Sequence, residues 1–114
     1  MKLVNLTPDT INIHSNGQVL EVEPSGEVAR VIVLNDKLND ITVDGFKIQI
    51  NSSMYGWLTG LGPEQPETIY IVETMVQQRC NELKLGRDDL YSPGELARNE
   101  QGVVVGCYGL SKVY

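Results

Sequence analysis

Histidine is almost missing from this chain. Its 114 residues include one, His14, and two cysteines, Cys80 and Cys107, that lie far apart. No Cys/His spacing suits a zinc site, and no local pattern proposes a nucleophile with its base. Two such cysteines make no disulfide framework, and among apolar neighbours they read as buried free thiols of a reducing compartment. Basic residues are also few, nine Lys and Arg against fifteen Asp and Glu, for a net charge of −6, and no two are adjacent. Nonspecific nucleic-acid binding needs clustered cations to displace counterions from phosphates, so nucleic acid is not an expected partner. No apolar run approaches the ~20 residues of a membrane span. Met1-Lys2-Leu3-Val4-Asn5-Leu6 is too short for a signal-peptide apolar region. A soluble cytoplasmic protein without a membrane partner is the expectation.

What is present is apolar and strand-forming. Hydrophobic residues make up 41% of the chain, enough to support one core, so residues 1–114 read as a single domain. Ile11 and Ile13 alternate with Asn12 and His14, and Asn16-Gly17 then turns the chain into Gln18 to Glu23. Asn-Gly tolerates the two positive φ angles of a tight hairpin. Val28 to Leu34 forms a strand interrupted only by Arg30, and Asn35 to Asp40 reads as a loop. Ile41 to Ile50 repeats the hairpin logic around Asp44-Gly45. Asn51 to Glu67 holds Gly, Pro and the only Trp and reads as a long irregular loop, which in a small domain is often functional.

Thr68 to Val72 reads as a buried strand leading into a helix over about 74–85. Thr74 and Gln77 have capping-box spacing, Val72, Met75, Val76, Cys80 and Leu83 share a face, and Gly86 suits the C′ position. Arg87 to Gly94 reads as a loop, followed by a closing hairpin around Gln101-Gly102. The expected fold is α+β, mostly β: a small antiparallel barrel or sandwich with one amphipathic helix.

Five residues stand out as candidates for ligand binding. Arg30 shares a strand face with Val28 and Ile32, and a guanidinium amid apolar side chains is either an anion fork or an edge arginine with a packed stem. Arg87 directly follows the helix beside Asp88 and Asp89; it could meet a phosphate while Asp89 accepts from hydroxyls, or the two could form a local surface pair. Trp57 offers a stacking platform or a protein anchor, or else a cap on the core. Tyr91 is a second candidate for stacking. His14 lies on the polar face of an outer hairpin and reads as solvated. Neither it nor the adjacent Asp88 and Asp89 proposes a catalytic arrangement. No catalytic residue, metal ligand or cofactor is assigned.

Several segments taken together resemble a family of small phage, prophage and mobile-element proteins. They are Leu3-Val4-Asn5-Leu6-Thr7-Pro8, Pro24-Ser25-Gly26 with Val28-Ala29-Arg30-Val31, Thr68-Ile69-Tyr70-Ile71-Val72, Arg87-Asp88-Asp89-Leu90 with Pro93-Gly94, and Gly102 to Cys107. The chain departs from that pattern at Asp9, where histidine is common, so no histidine-dependent role carries over to that turn. The resemblance implies a non-enzymatic accessory protein of the bacterial host's cytoplasm that counters defence. Two readings follow from it. In one, Arg30, Arg87, Asp89, Trp57 and Tyr91 sequester a small anionic, nucleotide-derived signal. In the other, the chain inhibits a host defence protein by direct binding or acidic mimicry, with Trp57 as anchor. A third reading, hydrolase or transferase, needs Asp88, Asp89 or His14 to converge. Exposed strand edges lead to the expectation of a homo-oligomer.

Overall fold

The computed structural model describes residues 1–114, and most of them are in strands. β1 (Lys2–Asn5) runs to a Pro8 turn; β2 (Ile11–Ser15) and β3 (Gln18–Val22) form the first hairpin. Its turn residues Asn16 and Gly17 have φ of 52° and 75°, as the Asn-Gly pair predicts. β4 (Arg30–Lys37), β5 (Ile41–Val43), β6 (Phe46–Ile48) and β7 (Asn51–Thr59) follow, then β8 (Thr68–Ile71), the helix α1 (Thr74–Glu82), β9 (Leu90–Arg98) and β10 (Val104–Ser111).

Six strands form one sheet in the order β1-β8-β9-β10-β2-β3. It is mixed rather than antiparallel. β8 lies parallel to both β1 and β9, and β10 lies parallel to β2, because α1 and the long excursions between strands carry the chain back to the same end. The sheet curls into a half-barrel, and Asn5 at the end of β1 bridges Pro24 just beyond β3.

Asn5 fastens that closure. The residue is 1% exposed, and its side-chain amide donates to the carbonyls of Asp9 and Val22 at 2.8 and 3.1 Å. Its Oδ1 accepts from the backbone N–H and the hydroxyl of Thr7 at 2.9 and 2.7 Å. Both amide donors are used, so the buried polar group carries no desolvation debt. The Asn5-Leu6-Thr7-Pro8 segment is thus a structural knot.

Two apolar clusters fill the interior. Val76 and Cys80 of α1 pack on Leu6, Ala29, Leu58, Val72 and Leu90, and Ile11, Ile13, Ile71 and Cys107 pack on the hairpin side. The helix is shorter than its periodicity suggests. Met75 is exposed and Gln77 is buried in its place. Gln77 Nε2 donates to Ser92 Oγ at 2.6 Å and to the Ser111 carbonyl at 3.2 Å, while its Oε1 accepts from Val113 N at 3.0 Å. One amide thereby ties helix, β9 and the C-terminal strand together, which an apolar side chain could not do. Thr74 makes no capping box, since Glu73 occupies the N-cap without a side-chain bond. At the other end Lys84, at φ 54°, takes the left-handed position expected of Gly86. Lys84 N bonds to Asn81 O and Leu85 N to Cys80 O, the pair of bonds of a Schellman motif.

Ser92-Pro93-Gly94, which reads as a loop, lies inside β9. The ladder to β8 ends at Tyr91, so Pro93 falls where the strand has a neighbour on one side only. Gly94 is needed for a different reason: a Cβ there would collide with the Tyr108 carbonyl. Asn51–Thr59 is likewise a strand. It pairs with β4 from Arg30↔Thr59 to Lys37↔Asn51, and only 60–67 remains irregular. With the β5–β6 hairpin at its end, the β4–β7 ribbon makes an arm of residues 30–59 that leaves the half-barrel. The radius of gyration is 18.2 Å and the extents are 58 × 40 × 26 Å, against about 13 Å for a compact chain of this length. No helix is long and apolar enough to cross a membrane.

Candidate functional site

The arm is rooted in the half-barrel by three contacts. Leu58 is buried in the cluster under α1, and Val31 packs against it from the facing strand. Arg79 of α1 donates from Nε to the Gly56 carbonyl at 2.9 Å and from a terminal nitrogen to the Tyr55 carbonyl at 2.7 Å. Beyond that root the register fixes which side chains share a face. Val31 lies opposite Leu58 and Val33 opposite Tyr55, so β7 holds one extra residue, and both Gly56 and Trp57 stand against Ile32. A Cβ built on Gly56 would lie 3.5 Å from the Ile32 Cβ. Arg30, Ile32 and Leu34 therefore line one face with Trp57 and Met54.

Arg30 and Trp57 are brought together on that face. Both are exposed, Trp57 by 58%. The apolar ladder around Arg30 is present as the alternation implies, although Val28 precedes the strand. What the ladder lacks is a roof: neither Arg30 nor Trp57 lines any concavity of the molecule.

Arg87 and Asp89 form a separate arrangement. The guanidinium is bidentate on the carboxylate at 2.9 and 2.8 Å, with side chains only 12% and 8% exposed. A further N–H donates to the Gly62 carbonyl at 2.9 Å, and Glu64 lies 3.8 Å away. The hydrogen bonds the guanidinium donates to Asp89 raise the arginine pKa above its ordinary value, outweighing burial, which lowers it. This clasp fixes the 60–65 loop to the segment after α1, and its fork is already filled by a carboxylate. Burial pushes the neighbouring Cys80 thiol up, with the Arg87 charge working the other way.

Tyr91 is half-buried, and one face of its ring is covered by Lys112, whose Nζ lies 4.8 Å from the centroid and donates to the carbonyls of Asp88 and Leu90. His14 is not solvated as its strand position suggests. Its ring stands edge-on to Tyr108 at 5.9 Å, and its Nε2 is buried without a partner. Gly106 makes room for that ring, since a Cβ there would lie 2.9 Å from it. No group of three His, Cys, Asp or Glu side chains converges. A shallow cleft of about 320 Å³ beside β1 is lined by Lys2, Glu27, Gln65 and Tyr70, none of them among the five candidates.

Sequence reasoning missed Asn5, Gln77 and Arg79. Asn5 stood out only as part of the Leu3-Val4-Asn5-Leu6-Thr7-Pro8 segment, and Gln77 resembled a capping partner. Arg79 looked like any polar-face charge, because its acceptors are backbone carbonyls that no side-chain pattern announces.

The arm also carries exposed apolar side chains. Its tip hairpin pairs Val43 with Phe46 and Ile41 with Ile48, so four apolar residues share one face while Thr42 and Lys47 take the other. All four are open to solvent, Phe46 by 71%. Comparison with known family models, curated proteins and solved structures finds no match to this chain.

Proposed function

We propose that this protein is an interaction protein whose working element is the 30–59 arm, and that it acts as an accessory factor by binding another protein chain. The observation that carries this reading is the arm's apolar surface: Ile32, Leu34, Met54 and Trp57 on the ribbon and Ile41, Val43, Phe46 and Ile48 on the tip, each at least 37% exposed. Contiguous apolar patches of this kind mark association sites, and Trp is the side chain most often found at their energetic centres. A two-stranded ribbon is also marginal in water without something packed on it.

A photoreactive amino acid at position 57, with a control at exposed Glu21 of β3, tests this reading in expressing cells. Protein adducts at 57 and none at 21 are expected. An absence of adducts at 57 refutes it.

The anion-sequestering reading keeps one supporting observation, the pairing of a cation, Arg30, with a stacking ring, Trp57, on one face. Such a site needs a second wall from outside the chain, and Arg87 is closed onto Asp89. Thermal-shift measurements with ADP-ribose derivatives and cyclic dinucleotides decide it. A stabilising shift lost in Arg30→Gln supports the reading, and no shift at millimolar ligand removes it.

A further inference from the structure

Residues 30–59 contain three cations, Arg30, Lys37 and Lys47, and three anions, Asp36, Asp40 and Asp44. The arm is therefore neutral, and the whole net charge of −6 resides on the half-barrel and its loops. Two copies approaching body to body repel each other; arm to arm, they meet without that penalty. We infer that the occupant of the arm is a second copy of this chain, the two arms packing apolar face to apolar face about a two-fold axis.

The inference rests on the association reading above and names its partner. Three features favour a like partner. The first is the charge pattern: an acidic body would select a basic partner for itself, whereas the neutral arm discriminates only by apolar fit. The second is that the surface is divided into two patches of matching character, the ribbon face and the tip face. A two-fold arrangement makes contacts reciprocal, so the tip of each copy can cover the ribbon face of the other and both named patches are used. The third is area. The eight side chains named above, each about half exposed, present roughly 800 Å² per copy, which is about the size of one partner's share of a standard interface. The projection of the arm from the half-barrel, in a chain 58 Å long, also lets two such surfaces meet while the acidic bodies stay apart.

Sedimentation velocity of the purified chain of residues 1–114, run across a concentration series, provides the test. The wild-type chain is expected to sediment as a dimer in the micromolar range. Phe46→Ser/Trp57→Ser, whose residues lie outside both core clusters, is expected to sediment as a folded monomer with an unchanged far-UV spectrum. Val19→Ser, an exposed apolar residue on β3, is the control and is expected to remain dimeric. A wild-type chain that stays monomeric at about 100 μM, far above an ordinary micromolar dissociation constant, overturns the inference. So does a double variant that dimerises like the wild type. The two failures are separable: a monomeric wild type whose position-57 photoadducts are heterologous overturns the self-pairing and leaves the interaction reading standing.

Discussion

Replacing Arg87 with Met is the most searching single perturbation, because two accounts of that residue predict opposite outcomes. In the structure the guanidinium makes two bonds to Asp89 and one to the Gly62 carbonyl, and both charged side chains are nearly dry. Removing one partner of such a pair leaves a carboxylate buried without compensation, at a cost of about 3–5 kcal/mol. Domains of this size are stable by about 5–15 kcal/mol, so the variant sits near the edge of folding. Urea denaturation followed by far-UV circular dichroism measures the difference, with the slope m checked for constancy. Arg87→Met/Asp89→Leu removes both charges at similar volume and is expected to recover most of the loss, retaining only the cost of the freed Gly62 carbonyl, about 1 kcal/mol. Lys in place of Arg cannot reproduce the fork and is expected to fall between wild type and Met. A loss below about 1 kcal/mol for Arg87→Met would refute the clasp. It would return Arg87 to the list of groups free to hold a ligand.

Lys84→Gly is expected to stabilise the chain by about 0.5–1 kcal/mol, because glycine adopts the left-handed C′ conformation without a Cβ penalty; an unchanged or lower urea midpoint contradicts it. Gln77→Leu strands the Ser92 hydroxyl, the Ser111 carbonyl and the Val113 N–H, so a loss of about 2–3 kcal/mol is expected, with faster hydrogen exchange over 111–114. Burial raises the Cys80 thiol pKa in the folded chain, so the unfolded chain ionises first. Stability is complete below about pH 8.5 and falls as pH rises beyond it, and Cys80→Ala flattens that alkaline fall at the expense of a small cavity. Arg79→Ala removes the two bonds that hold the arm's root, and faster exchange at the amides of β4 and β7 is expected while those of β9 and β10 are unchanged.

The parts of this fold that were legible in the sequence are those decided within a few residues. Asn16-Gly17 and Asp44-Gly45 specify their turns because each pair accepts positive φ, and no distant contact has to agree. The strand at 68–71 was clear from its unbroken apolar run. What escaped was set at a distance. Residues 51–59 contain a glycine, and the stretch reads as irregular until β4 supplies a partner; Gly56 is then the residue at which the ribbon bulges against Ile32. Pro93 and Gly94 break a strand on local rules, yet β10 holds them in one because the proline's other side is empty and the glycine admits a close carbonyl. Of the site candidates, Arg30 and Trp57 meet on one face for reasons of register, which two separate strand readings could not supply.

The distribution of apolar residues settles what the small core means. Only 17 of 114 residues are buried, which for a chain with 41% hydrophobic content leaves much apolar surface in water. Scattered exposed residues such as Val19 and Leu96 need no account. The arm is different, since strand register gathers its exposed apolar residues into two patches, one on the ribbon and one on the tip. A strand pair that served only as a spacer would carry Thr, Ser and Lys on both faces, as the turn-proximal Ser52, Ser53 and Lys37 do. Instead the ribbon carries Ile32, Leu34, Met54 and Trp57 on one face, and the root holding them out in solvent is reinforced by a buried leucine and an arginine from the helix. An element both apolar and held away from its own core is therefore the ground on which we propose a counterpart outside the chain.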